Sequence, residues 1–416
     1  MTMSSPNGLA SAAATQRAGW GMPPAAAAVV LALIMTTGCD SNEVTYDPPV
    51  RSTTQLAPNL NLNFQKQGQM KAPGGGNVVS HDVLSDPTIL FDNGKYRMWF
   101  TAAIKPFTDE QEMGIAYAES DDGLEWTPRL DPDTKEPELL LRPTPGAWDE
   151  GGIETPSVVK NADGKYFLFY SGDVPPRGSH SWSIGLATSD DGITWTKVGT
   201  TPVMDGRQGW EGPFFEGSGR RKRRVGGVCE PSVLYNAELG QFQMWYSALG
   251  SKNEKIAFRM GYATSTDGIT WDARPEPVFE PDVDGSWDDS VISHLSVVFD
   301  PPTGYHLFYF GGSAKGYQMA EKNGAAMVPG AIGHAFSPDG ISWQRDANPV
   351  LNVEPGTWEA WMVGGPTALV ENDQVKLWYF GASVYNKYSF HIGLAIAPFN
   401  RGVVQDSAPL SRTVTK

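Results

Sequence analysis

The chain has 416 residues, 40% of them hydrophobic and 11% aromatic, which argues against disorder and leaves ample material for a large core. A formal charge of -15 argues against a nucleic-acid partner, because phosphate backbones are held by Lys and Arg. Two cysteines as differently placed as Cys39 and Cys229 argue against a disulfide scaffold.

Residues 25–35, "AAAAVVLALIM", follow Arg17 and are too short to span a bilayer permanently, so residues 1–38 read as a signal peptide. The "TTGC" that ends it resembles the lipobox of bacterial lipoproteins, with Thr36 where that motif prefers Leu. The resemblance implies lipidation at Cys39 and a cell-envelope protein facing outward, touching the membrane only through its anchor; plain secretion is the alternative. Residues 39–77 are polar with Pro and Gly and read as a tether, and 401–416 as a C-terminal tail.

From about Val78 to residue 400, four runs recur in fixed order. A short apolar run comes first: "DPTILF", "TPSVVK", "EPSVLY", "HLSVVF" and "GPTALV". An aromatic run follows: "YRMWF", "YFLFY", "FQMWY", "YHLFY" and "VKLWY". The third centres on "IAYA", "IGLA", "MGYA", "IGHA" and "IGLA", and the fourth follows a "DG" turn that ends in Trp. The anchors Pro87, Pro156, Pro231, Leu295 and Pro366 lie 69, 75, 64 and 71 positions apart. Short β-rich runs, glycine turns and no sustained helical period predict an all-β fold, a five-bladed β-propeller with four antiparallel strands per blade. The fifth unit lacks a "DG" turn, so its outer strand must come from "RGVVQ" or from the N-terminal segment near "NLNLNF". Eleven of the 14 tryptophans fall at repeat positions and are expected to be mostly core.

The first strand of each blade lines the axis of a propeller, so the residues that open those strands meet at one mouth. In order they are Asp86, Thr155, Glu230, His294 and Gly365. A carboxylate at a strand start often only accepts a local N–H; an aspartate, a glutamate and a histidine in one register point instead to a site. Two carboxyls facing a concavity are what glycosidic cleavage needs, one protonated and one ionised. Glu230 is the expected general acid and Asp86 the base or nucleophile.

At these residues the chain resembles the five-bladed propeller glycosidases, the arabinanase, levansucrase and invertase superfamily that includes glycoside hydrolase families 43 and 32. "DPTILFDNGKYRMWF" is similar to the first-blade segment of family 43, which implies Asp86 as catalytic aspartate. "CEPSV" is similar to its acid segment, which implies Glu230 as proton donor. The resemblance requires no cofactor; it makes His294 a candidate to hold a water or a structural calcium ion in the channel. Thr155 stands where the family has a second-blade aspartate, with Glu154 one residue earlier as the third candidate acid. The implied substrate is a carbohydrate, arabinofuranoside, xyloside or fructan, and the chain is expected to act as a monomer.

Trp148, Trp210, Trp287 and Trp358 each precede an acid, Asp149 among them, in a loop that leads to an anchor. These are candidate substrate-binding residues, against the plainer reading of turns that stabilise the repeat. The third unit carries an insertion with Arg220, Arg221, Lys222, Arg223 and Arg224, where Arg221 is a candidate contact for an anionic sugar or polymer. The competing class is a non-catalytic propeller that binds glycan or protein at the same mouth.

Overall fold

The computed structural model describes residues 60–401 apart from 61, 75–82, 105–111, 175–180, 208, 217–222, 254, 324–327 and 384–385. Cys39, the signal peptide and Arg221 lie outside the described residues. Among the described residues no helix is long and apolar enough to cross a membrane.

The chain is nearly all strand. The first repeat pairs Leu84–Asp92, Lys95–Ile104, Glu112–Ser120 and Thr127–Pro128 as an antiparallel meander. The second does so with Ile153–Lys160, Tyr166–Asp173, Ser181–Ser189 and Thr196–Lys197. The third uses Arg223–Asn236, Gln241–Lys252, Lys255–Ser265 and Asp272–Ala273, with Phe214–Glu216 added along its first strand. Val291–Asp300, Gly304–Gly312, Gly330–Ser337 and Gln344–Arg345 form the fourth. In the fifth, Met362–Glu371, Gln374–Ser383 and Asn386–Pro398 are completed by Gln65–Gln69. Each first strand packs on the first strand of the next unit and the fifth packs on the first, so these strands form a closed ring. Closing the units into a ring leaves only short strand edges open to pairing with another chain.

The closing strand is thus N-terminal, directly after "NLNLNF", and Leu60 and Phe64 are buried with it. The described fold therefore begins by residue 60, within the segment assigned by sequence to the tether. Arg401, the first residue of "RGVVQ", instead pairs with Asp300 at 2.9 Å. One helix, Ala314–Asn323, lies between strands two and three of the fourth unit. It is too short to show a helical period in sequence; Asp289 accepts the N–H of Ala314 at its start, at 2.7 Å.

The "DG" turns repeat atom for atom. Ser120, Ser189, Ser265 and Ser337 each accept the N–H of the turn glycine at 2.8 Å. Backbone N–H groups two and three residues on hold the Asp191 and Asp267 carboxyls below their ordinary range. The turn carbonyls then accept indoles from the neighbouring unit: Trp99 to Gly192 at 2.8 Å, Trp245 to Gly340 at 2.7 Å and Trp378 to Gly123 at 2.9 Å. The last of these joins the fifth unit to the first. Those indoles are core, as their repeat positions predict.

Candidate active site

All five first strands break register at the same place, between Ser85 and Thr88, Glu154 and Ser157, Cys229 and Ser232, Ser293 and Ser296, and Gly364 and Thr367. Each break is a bulge whose leading residue adopts the left-handed region: Asp86, Thr155, Glu230, His294 and Gly365 have φ of 50, 50, 52, 48 and 53°. For a non-glycine residue this conformation costs on the order of 1 kcal/mol and persists only where the surroundings impose it. In four of the five the next residue is proline, which brings no N–H to the unpaired step. The leading residues and their followers line one axial cavity of about 30 Å³, room for a water or two.

Within it, the His294 imidazole lies between the two acids. Its Nε2 is 3.3 Å from Asp86 Oδ1 and its Nδ1 is 3.2 Å from Glu230 Oε1, with Ser293 Oγ at 3.0 Å from Nδ1. Glu230 Oε2 accepts the backbone N–H of His294 at 2.6 Å. Ser85 donates to Asp86 Oδ2 at 2.7 Å. All three residues are almost fully buried: 8% of Asp86, 2% of Glu230 and 6% of His294 is exposed. Asp86 Oδ1 and Glu230 Oε1 face the His294 ring nitrogens without well-aligned hydrogen bonds to them and have no other hydrogen bond. Burial pushes the Asp86 carboxyl above its ordinary 3.8, against the opposing pull of His294, Ser85 and Thr101. Gly365 makes room for this acid, since a Cβ there would stand 2.9 Å from Asp86 Oδ1.

Hydroxyls from the second strands brace the ring. Thr101 Oγ1 accepts the N–H of Thr155 at 2.9 Å, and Ser171 Oγ accepts the N–H of Glu230 at 2.7 Å while bonding Thr155 Oγ1. Sequence reasoning missed these residues. A signal existed, because the position after each aromatic run reads Thr101, Ser171, Ser247, Phe310 and Phe380 in repeat order.

The structure thus brings Asp86, Glu230 and His294 together, and leaves Glu154 out of the lining. Glu154 is buried on the other side of the bulge, its charge felt at Cys229, whose thiol burial and nearby acids push up. Cys229 is inert packing in the core. His294 is placed as a bridge between the two acids. Among the described residues no group of three or more His, Cys, Asp or Glu is arranged to hold a metal.

The Trp-acid loops repeat one set of contacts. Trp148, Trp210, Trp287 and Trp358 stack flat on Tyr170, Tyr246, Tyr309 and Tyr379 of their own units, at interplanar angles of 15 to 24°. Gly172, Gly311 and Gly381 admit three of these rings; a Cβ on any of them would stand 2.3 Å from the indole. The acids that follow accept the tyrosine hydroxyl: Asp149 at 3.1 Å, Glu211 at 2.6 Å and Asp288 at 2.8 Å. Each acid also meets a cation, Lys197 on Asp149 and Lys66 on Glu359 at 2.5 Å, Arg207 on Glu211 at 2.6 Å, and Arg345 on Asp288. Rings backed on one face by tyrosine, followed by acids already paired with a cation, fasten each loop to its own unit.

No family model matches the chain. It is 31% identical over 136 residues to two proteins of Mycobacterium tuberculosis, "Uncharacterized protein MT1551" and "Uncharacterized protein Rv1502". The match covers 32% of this chain and 40% of each of those, so the chain spans less than half the length of the curated relatives it matches. Among solved structures it is similar to a complex of BT0996 and RGII, with a TM-score of 0.60 and 18% identity over 86% of this chain and 95% of that one. A thermostable family-43 glycoside hydrolase superposes with a TM-score of 0.54 and 14% identity, over 78% of this chain and 92% of the other. A member of the GH130 family of mannoside phosphorylases gives 0.50 and 20%, over 82% and 91%. The fold is therefore glycoside-hydrolase-like.

Proposed function

We propose that the five strand groups are the blades of a five-bladed propeller and that the axial acids hydrolyse a glycosidic bond. The observation that carries this is the pair Asp86 and Glu230, two carboxyls from distant units, each turning one oxygen to the shared His294 imidazole and lining one cavity. In the reaction one acid gives its proton to the leaving oxygen as the C–O bond breaks. The other carboxylate takes a proton from the water that adds to the anomeric carbon, so that only water is consumed. Burial raises the Asp86 carboxyl and so favours its acid form. Glu230 Oε2 is held by the His294 N–H, so Glu230 can reach a leaving oxygen only after letting go of that N–H.

Arabinofuranosides, xylosides and fructans remain the proposed substrates, joined by RGII and by β-1,2-mannosidic glycans on the strength of what the similar structures are described with. We place the enzyme as a monomer in the cell envelope, anchored through Cys39. The test is release of sugar from this panel by the full chain in detergent, beside Asp86→Asn and Glu230→Gln. Hydrolysis by the parent and not by the variants supports the enzyme. Equal rates in all three remove it. The second reading, a glycan-binding propeller, is favoured by the narrow cavity, whose volume of about 30 Å³ is too small to enclose a sugar ring. It predicts glycan retention by all three proteins with no release.

A further inference from the structure

In three successive units the residue after the aromatic run is a hydroxyl facing the bulge, with Ser85 opposite Thr101, Glu154 opposite Ser171 and Cys229 opposite Ser247. The first two do one job. Thr101 and Ser171 each accept the N–H of the left-handed residue of the next unit, Thr155 and Glu230 respectively. By the same repeat Ser247 is due to accept the N–H of His294. It does not. That N–H goes to Glu230 Oε2 at 2.6 Å, and Ser247 Oγ, fully buried, has no partner. The hydroxyl is not a general demand of the repeat, because the fourth and fifth units carry Phe310 and Phe380 here, packed edge-on against His294.

We infer that Ser247 is the reserve acceptor for the His294 N–H, and that Glu230 is a carboxylate parked on that N–H and releasable from it. A buried donor left without a partner carries a heavy penalty, so a lone departure of Glu230 is suppressed. With Ser247 taking over, one hydrogen bond replaces another, an orphan hydroxyl is satisfied, and the Glu230 carboxyl is free to turn into the cavity. Ser247 is then a positioning residue that acts through Glu230. The use of the freed carboxyl as an acid rests on the function proposed above; the exchange of acceptors does not.

A double-mutant cycle on the full chain tests the exchange without any substrate. Ser247→Ala alone leaves the unfolding midpoint unchanged or slightly raised, since it removes an unpaired hydroxyl. Glu230→Ala alone leaves the His294 amide protected, because Ser247 accepts it. The double variant lowers the midpoint by about 2–4 °C beyond the sum of the singles, and the His294 amide exchanges roughly tenfold faster. Ser247→Thr in the Glu230→Ala background restores both. Glu230→Met, which keeps bulk without an acceptor, is run beside Glu230→Ala and behaves alike. Additive midpoints with equal His294 protection in all four proteins overturn the inference, as does failure of both Glu230 variants to fold while Ser247 is present. In the hydrolysis assay Ser247→Ala lowers kcat with KM unchanged and Ser247→Thr restores it; if the cycle couples and no hydrolysis is found, the exchange stands and the enzyme reading falls.

Discussion

Two sets of buried acids occur in this molecule, and they are treated differently. The fastener acids Asp149, Glu211, Asp288 and Glu359 each have a full cation at hand, Lys197, Arg207, Arg345 and Lys66, and a tyrosine from the neighbouring strand. The axial acids Asp86 and Glu230 share one imidazole between them. An orphaned oxygen does not tell the sets apart, because Asp288 Oδ1 and Glu359 Oε2 are orphaned too. The missing cation does. A buried carboxylate with its own Lys or Arg is neutralised and fixed; two that compete for one imidazole are left able to exchange a proton.

The sharpest way to separate the sets is to remove the charge from each. Asp86→Asn and Glu230→Gln are expected to cut hydrolysis by about 10²–10⁴-fold while the unfolding midpoint stays near that of the parent. Asp288→Ala is expected to do the reverse, costing about 1–3 kcal/mol in chemical denaturation because the buried Tyr309 hydroxyl loses its acceptor and Arg345 its ion-pair partner. A fall in stability for Glu230→Gln as large as for Asp288→Ala would erase the distinction between fastener and site.

The contrast also extends to histidines. His306 is fully buried, with His334 Nε2 at 3.1 Å, Thr303 Oγ1 at 2.8 Å, and Asp300, Asp346 and Arg401 around it. Burial pushes His306 down to about 3, with His334 adding to the effect. Its neutral form therefore stabilises the fold above pH 6.5. That stability is lost at about 1.4 kcal/mol per pH unit as pH falls from 6.5 toward 3, and His306→Gln should flatten this slope in urea titrations. Asp86 has the opposite sign. Its raised acid contributes nothing adverse below pH 3.8 and a growing penalty as pH rises, so Asp86→Asn should gain stability over the parent at pH 7, a gain that vanishes toward pH 3.8. A constant difference between the two proteins across that range would show that Asp86 ionises as freely as a surface acid.

The period of the chain was legible because each unit must bury one face and cannot do so alone, so the same apolar and turn residues return every 64 to 75 positions. The five residues of the axial ring could be read off that register, down to Gly365. Their conformation could not. Proline after Asp86 and Glu230 hinted at an unpaired N–H, whereas the bulge that puts Asp86 in the left-handed region and sets Glu154 outside the lining is a property of paired strands. The tryptophans before acids could be read as binding residues or as turns that stabilise the repeat, because stacking partners from the second strand are invisible in a linear motif.

The amino-acid order alone determined a ring of repeats, the turns that close each unit, and which side chains share the axis, since all three follow from local propensity and from a spacing that recurs. Only the tertiary structure decided how the charges are shared. Whether an acid meets a lysine, an imidazole or a backbone N–H depends on atoms brought from units some 70 residues apart to within 3 Å, and at that range burial and hydrogen bonding, not residue type, set which proton is held and which can move.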